Sequence, residues 1–208
     1  IAIAREVLTH TRLHVIIRPR GGDFLYSDIE IRTMLKDIEI ARKLGADGVV
    51  FGCLTAEGEV DLPVMQKLME AAQGLSVTFH RAFDVCRDPE KVLEQTISLG
   101  IGTILTSGQK ESALKGADCL KRLQKMAGNR IMLMAGAGIH GDSIEKLYPM
   151  TGILAYHMSG KKTIPSSMTY RREGVPMGLP GISEFEIWRT DEEEILAASR
   201  ILSHFCEK

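Results

Sequence analysis

The chain has 208 residues, 44% of them hydrophobic and 25% charged, with a formal net charge of −1 and an isoelectric point near 6.7. This is the composition of a globular protein able to bury a sizeable core, most simply as one domain over residues 1–208. The balanced charge, with no basic block on any segment, speaks against a nucleic-acid partner, and apolar runs as short as IMLMAGAGI speak against a membrane-embedded protein.

Taken in chain order, the opening IAIAREVLTHT reads as the middle of an amphipathic helix without an initiator methionine, so a preceding segment is expected. Six short apolar runs follow: LHVIIR (13 to 18), GVVFGC (48 to 53), SVTFH (76 to 80), GTILT (102 to 106), RIMLMA (130 to 135) and GILAYH (152 to 157). Their starts lie 35, 28, 26, 28 and 22 residues apart, and none alternates with polar residues, as expected of parallel strands covered on both faces. Helical segments intervene. Ser27 and Glu30 form an S-x-x-E capping box, Asp88 and Pro89 open a second helix, and Asp142 and Glu145 open a third. Gly45, Gly74 and Gly100 stand where left-handed caps would end helices.

Six strand–helix units permit an open doubly wound sheet or part of a (β/α)8 barrel. Nearly every run ends in special chemistry (RPRGGD, GCLT, HRAFD, TSGQ, AGAG, HMSG), which favours a TIM-type barrel, where functional residues come from the C-terminal ends of many strands. Closing eight strands requires two more units, on the order of 45 residues, before Ile1. The expectation is a single, N-terminally incomplete barrel; a chain truly beginning at Ile1 would need a partner, such as a second copy, or a rearranged sheet to cover two strand edges.

Arg18, Arg20 and Asp23 follow the first strand, and His80, Arg81 and Asp84 follow the third, so all six are expected at one mouth. Guanidinium groups bind carboxylate or phosphate with paired donors. His80, Asp84 and Asp23 are the candidate acid–base groups, and Arg18, Arg20 and Arg81 the candidate anion clamps. The alternative is an ion-pair network that only closes the barrel top. Thr106 and Ser107, with Gly108 and Gln109, end the next strand with hydroxyl donors. Gly136 and Gly138, then His157 and Ser159, end the last two strands, where barrels often hold phosphate. Gly136, Gly138 and Gly141 match G-x-G-x-x-G, but no carboxylate follows at the ribose-binding distance, so a dinucleotide site is not expected.

Four cysteines, Cys53, Cys86, Cys119 and Cys206, form no CxxC pair and suit a reducing cytoplasm. Cys53 and Cys86, with Met134 and Met158, are soft donors near strand ends, weighed as Cu(I) ligands against ordinary core packing. His10, His14, His140 and His204 show no ligand spacing and are expected on the surface or in helices. After His157 a long irregular stretch is expected to fold over one barrel end, with Arg171 or Arg172 reaching the mouth and Lys161 and Lys162 solvated, before a last helix from about Asp191 to Phe205.

The motifs HVIIRPRGGDFLYSD, GADGVVFGCLTAEGEVD, VTFHRAFD, ILTSGQ, IMLMAGAGI and MTYRREGVPMG closely resemble the CutC copper-homeostasis family. The resemblance covers essentially the whole chain and implies a TIM-type barrel, a cytoplasmic location and a role in handling copper. It assigns no copper ligand to any residue here, and no cofactor beyond copper is implied. The residues themselves point elsewhere, because Arg18, Arg20 and Arg81 would repel a cation. Three functions stay open: a copper-homeostasis protein that binds or distributes Cu(I), a barrel enzyme of lyase or isomerase type acting on a small phosphorylated or carboxylated metabolite, and a non-catalytic barrel scaffold. No strand-end lysine suggests a Schiff base.

Overall fold

A computed structural model describes residues 1–172, 174–175 and 183–206. A short helix α1 (Ala2–Val7) precedes β1 (His14–Ile16), α2 (Asp28–Lys43), β2 (Gly48–Phe51), α3 (Leu62–Ala71) and β3 (Ser76–Phe79). A 3₁₀ turn (Arg81–Val85) leads to α4 (Pro89–Ser98), β4 (Thr103–Thr106), α5 (Ala117–Ala127), β5 (Met132–Gly136), α6 (Gly141–Thr151) and β6 (Ala155–His157). The six strands form one parallel sheet in the order β1-β2-β3-β4-β5-β6. With its helices this curled sheet is a partial TIM-type barrel, the alternative that the chemistry at the strand ends favours.

Two hydrophobic layers arise from the alternation of side chains along each strand. Val49, Phe51, Val77, Phe79, Ile104, Leu133 and Ala135 are buried together with Met34 and Ile38 of α2, Leu68 of α3, Leu93 of α4, Leu120 and Leu123 of α5 and Leu147 of α6. Each fully buried Leu or Phe there contributes about 1.5–3 kcal/mol relative to exposure. The alternate residues Ile16, Val50, Thr78, Leu105 and Met134 line the inside of the curl.

The helix signals are largely met. Glu30 accepts from Ser27 N–H at 2.8 Å and from its hydroxyl at 2.9 Å. Asp88 accepts from the amides of Glu90 and Lys91, both at 3.1 Å, with Pro89 at the first helical position. Gly45, Gly74 and Gly100 all have φ between 77° and 85°, a region that costs glycine nothing. One start differs: α6 opens at Gly141, because extended His140 exchanges bonds with Ser143, the Ser143 hydroxyl accepting from His140 N–H and donating to its carbonyl, both at 2.8 Å. Asp142 falls inside the first turn, and Glu145 plays no capping part.

The stretch after His157 is not irregular throughout. Lys161–Pro165 (β7) and Glu186–Thr190 (β8) pair antiparallel as a separate two-stranded sheet, and α7 (Glu192–Cys206) packs on α6, with Tyr148 stacked on Phe205 at 4.3 Å. Lys161 sits over the Trp188 ring and Lys162 pairs with Asp191 at 3.0 Å, so neither is merely solvated. Arg171 lies over Phe185 and Arg172 bonds the Tyr170 hydroxyl, and neither lines the cavity at the strand ends. Residue 173 and residues 176–182, and with them part of the MTYRREGVPMG motif, lie outside the described residues.

Candidate functional site

A cavity of about 600 Å³ runs from the C-terminal ends of the strands down the inside of the curl, lined by His14, Ile16, Arg18, Phe24, Val50, Thr78, His80, Arg81, Leu105, Met134 and His157. Ile16 pairs with Val50, and Val50 with Thr78. Continuing that register by two residues puts Arg18, Gly52 and His80 on one row, and the bond from His80 N–H to the Phe51 carbonyl, 3.1 Å, carries the β2–β3 ladder up to it. The glycine in the middle of the row is what makes the arrangement possible. A Cβ on Gly52 would stand 3.0 Å from His80 Nδ1 and 3.1 Å from Phe79, so the imidazole occupies the space that a side chain would take.

His80 is only 4% exposed. Its Nδ1 accepts from Ala82 N–H at 3.2 Å, which closes the first turn after the strand. Its Nε2 is buried and has no partner. Burial, with the nearby Arg18 charge as a second cause, pushes its pKa down to about 4, so the ring is neutral at physiological pH. Phe24 lies 4.8 Å from the imidazole, and the Arg18 guanidinium sits 4.7 Å over the Phe24 ring. Arg18 also donates to the Gly22 carbonyl at 2.7 Å. The RPRGGDF loop thus wraps back over the strand end and presses Phe24 between cation and imidazole.

Asp84 organises the opposite wall. It accepts from the Thr106 hydroxyl at 2.6 Å, the Ser107 amide at 2.9 and 3.1 Å and the Gln109 amide at 3.3 Å, and it pairs with Arg81 Nε at 2.6 Å. Its side chain is 6% exposed, and both oxygens are engaged. The second arm of Arg81 donates to the Ser107 hydroxyl at 3.1 Å, and that hydroxyl donates to the Lys110 carbonyl at 2.5 Å. The bonds hold Gln109 at φ 59°, a left-handed conformation that a non-glycine residue keeps only when its surroundings enforce it.

The predicted site residues therefore divide. Arg18, His80, Arg81 and His157 share the cavity. Asp84, Thr106 and Ser107 stand behind Arg81 as its support. Arg20 is turned the other way, bonded to Glu30 at 2.6 Å, to Asp23 at 2.9 Å and to the Leu25 carbonyl at 2.6 Å; Asp23, its partner, is not among the lining residues. Gly136, Gly138 and Ser159 do not line the cavity either. Gly136 is required by packing, since a Cβ there would meet Leu105 at 2.6 Å, and Gly138 by its φ of 67°. The sequence reading passed over Phe24 and Gly52. His14 is exposed, in keeping with the surface position expected of it. That residue begins β1, meets the Ser76 hydroxyl at 3.1 Å and lines the far end of the cavity. The H-x-I-x-R alternation along β1 is the signal that could have found it.

Among the soft donors, Met134 lines the cavity, whereas Cys53, Cys86 and Met158 do not. Cys53 and Cys86 are 2% and 6% exposed, and burial pushes both thiols up to about 12. No three His, Cys, Asp or Glu among the described residues come together as a metal-holding group.

A family model described as the CutC family matches residues 1–162. The chain belongs to the CutC family. The CutC family protein of Bacteroides thetaiotaomicron is 65% identical over 178 residues, 86% of this chain and 72% of that protein. The CutC family protein of Parabacteroides distasonis is 49% identical over 198 residues, 95% of this chain and 82% of that protein. Among solved structures, the CutC of Streptococcus agalactiae, described as a proposed copper homeostasis protein, superposes with a TM-score of 0.73 at 35% identity, covering 75% of this CutC-family chain and 77% of its own. An aldolase called QR15 has a TM-score of 0.60 at 13% identity, covering 74% of this chain and 71% of its own, a likeness of fold alone. Among the described residues of this CutC-family chain no helix is long and apolar enough to cross a membrane.

Proposed function

We propose that this CutC-family chain binds a small carboxylated or phosphorylated organic molecule at the barrel mouth and activates it by acid–base chemistry of lyase or isomerase type. The observation that carries the reading is the shared cavity: two guanidinium groups, Arg18 and Arg81, open onto the same space as the buried His80, whose Nε2 has no partner. Buried polar groups are normally paired, so an orphan imidazole nitrogen sharing a cavity with two guanidinium groups is a site prepared for an anionic ligand that also offers the ring a partner. The network behind Arg81 supports the same reading, since Asp84 and Ser107 hold the guanidinium in place. His157 shares the same space, whereas Gly136, Gly138 and Ser159 lie outside its lining. The buried, unpaired Cys53 and Cys86 suit a cytoplasmic protein.

Calorimetric titration with inorganic phosphate and with short carboxylates tests the proposal. Binding should weaken by about tenfold or more in Arg18→Ala, the usual worth of a charge-assisted bond. Undetectable binding of both anion classes, with no thermal shift, would remove the reading.

A second reading, copper homeostasis, is favoured by the description of the Streptococcus agalactiae relative. The geometry of Cys53 and Cys86 offers Cu(I) little, because neither lines the cavity and no three His, Cys, Asp or Glu come together among the described residues. Copper handling by this chain would then be indirect. A Cu(I) titration against a competing chelator decides it: tight stoichiometric binding that disappears in the Cys53→Ser, Cys86→Ser double variant would favour copper as cargo.

A further inference from the structure

We propose that His80 is a neutral hydrogen-bond donor whose Nε2–H polarises a carbonyl oxygen of the bound anion, so that the ligand class is a carbonyl compound carrying a carboxylate or phosphate. The inference rests on the anion-site reading above and adds to it the functional group that the site recognises.

The geometry fixes the tautomer. A neutral imidazole carries one N–H, and the nitrogen that accepts a hydrogen bond cannot be the one that bears it. Nδ1 accepts from the Ala82 amide at 3.2 Å, as the cap of the turn that follows β3. The proton therefore resides on Nε2, the nitrogen left buried without a partner in a ring that lines the cavity. A donor in that position serves the acid side of the proposed chemistry, bonding an oxygen on which charge develops. Phosphate and carboxylate oxygens are already the preferred partners of Arg18 and Arg81, which are charged donors. The neutral donor in the same cavity is matched to a neutral acceptor, and a ketone or aldehyde oxygen next to the anionic group is an acceptor that would meet all three.

The ring's position is held from two sides. Gly52 leaves no more than the room its edge needs, and Phe24 leans on it at 4.8 Å while carrying Arg18 over its own ring. Gly52 is thus a positioning residue for His80, and Phe24 couples the imidazole to the guanidinium. The rest of the lining is apolar, from Val50, Leu105 and Met134, which suits a short carbon chain attached to the carbonyl.

Matched probes test the idea by exchanging a carbonyl for a methylene and nothing else: 2-oxopentanoate against pentanoate, and hydroxyacetone phosphate against propyl phosphate. In the wild-type chain the carbonyl member of each pair should bind about five- to tenfold more tightly, the worth of one buried hydrogen bond. His80→Asn, whose amide oxygen can still accept from Ala82, should bring the ratio to about one while both members keep binding through the arginines. His80→Gln, which returns a donor near the Nε2 position, should restore part of it. Equal affinities within each wild-type pair, with binding still lost in Arg18→Ala, would overturn the carbonyl inference and leave the anion site standing. Loss of binding by all four probes would strike the anion site itself. An independent measurement needs no ligand: nitrogen-15 spectra of the free protein, with the His80 signals assigned by difference from His80→Asn, should show the Nε2-protonated tautomer, and an Nδ1-protonated ring would overturn the assignment directly.

Discussion

The Thr106 hydroxyl donates to the Asp84 carboxylate at 2.6 Å, joining the end of β4 to the turn that follows β3. Around that bond gather the Ser107 and Gln109 amides and Arg81, so Asp84 is the post on which two strand-end loops are hung. Replacing it by asparagine keeps the shape but turns an NH2 toward donors. Asp84→Asn should cost about 2–4 kcal/mol in urea unfolding, the range for a buried charged acceptor deprived of its role. A loss below about 0.5 kcal/mol would mean that the network is peripheral.

His80 makes a separate prediction about acid. Its folded-state pKa of about 4 lies below the ordinary value of 6.5, so between these values the unfolded chain binds the proton and the folded chain does not. Stability is therefore fully present above about pH 6.5 and falls as pH drops toward 4, with a contribution on the order of 3 kcal/mol from this one ring. Chemical denaturation across that interval should show a shallower decline in His80→Asn than in the wild-type chain. Parallel curves would place the acid sensitivity elsewhere.

The row through Gly52 predicts an asymmetric pair of glycine substitutions. Gly52→Ala brings a methyl to 3.0 Å from His80 Nδ1 and 3.1 Å from Phe79, an overpacking that should cost about 1–3 kcal/mol. Gly102→Ala finds its nearest neighbour, the Val77 carbonyl, at 3.8 Å and should be unchanged or stabilised, within about 1 kcal/mol. Thermal unfolding of the two variants side by side reads the difference, and equal losses would show that the imidazole is free to move aside.

Cys53 and Cys86 should be chemically quiet in the folded protein. Both are buried, and both thiols are pushed up to about 12, while the thiolate is the reactive form. Iodoacetamide labelling followed by peptide mass spectrometry should modify them only after denaturant is added. Modification of either at the rate of a cysteine in an unstructured peptide would contradict the burial.

The strands and most helices were legible in the sequence because their determinants are local: apolar runs such as GVVFGC, the Ser27–Glu30 box, the Asp88–Pro89 start. The site was legible only in part. Arg18, His80 and Arg81 could be placed at a mouth from strand ends alone. Thr106 and Ser107 have the same chemistry whether they face a ligand or brace Asp84, and only the fold shows the second. Arg20 and Asp23 likewise read as site residues until Glu30, ten positions after Arg20, is seen beside them. Gly52 and Phe24 carried no polar signal, since one acts by leaving space and the other by filling it.

Strand order in the curled sheet follows chain order without a single exchange. Each strand therefore meets a neighbour made shortly before it, and no segment must wait for a distant one to bury its apolar faces. Each pairing still closes a loop as long as one strand–helix unit before its contacts are gained, and the sheet is parallel throughout, so growth one unit at a time should be slow beside that of a helical bundle.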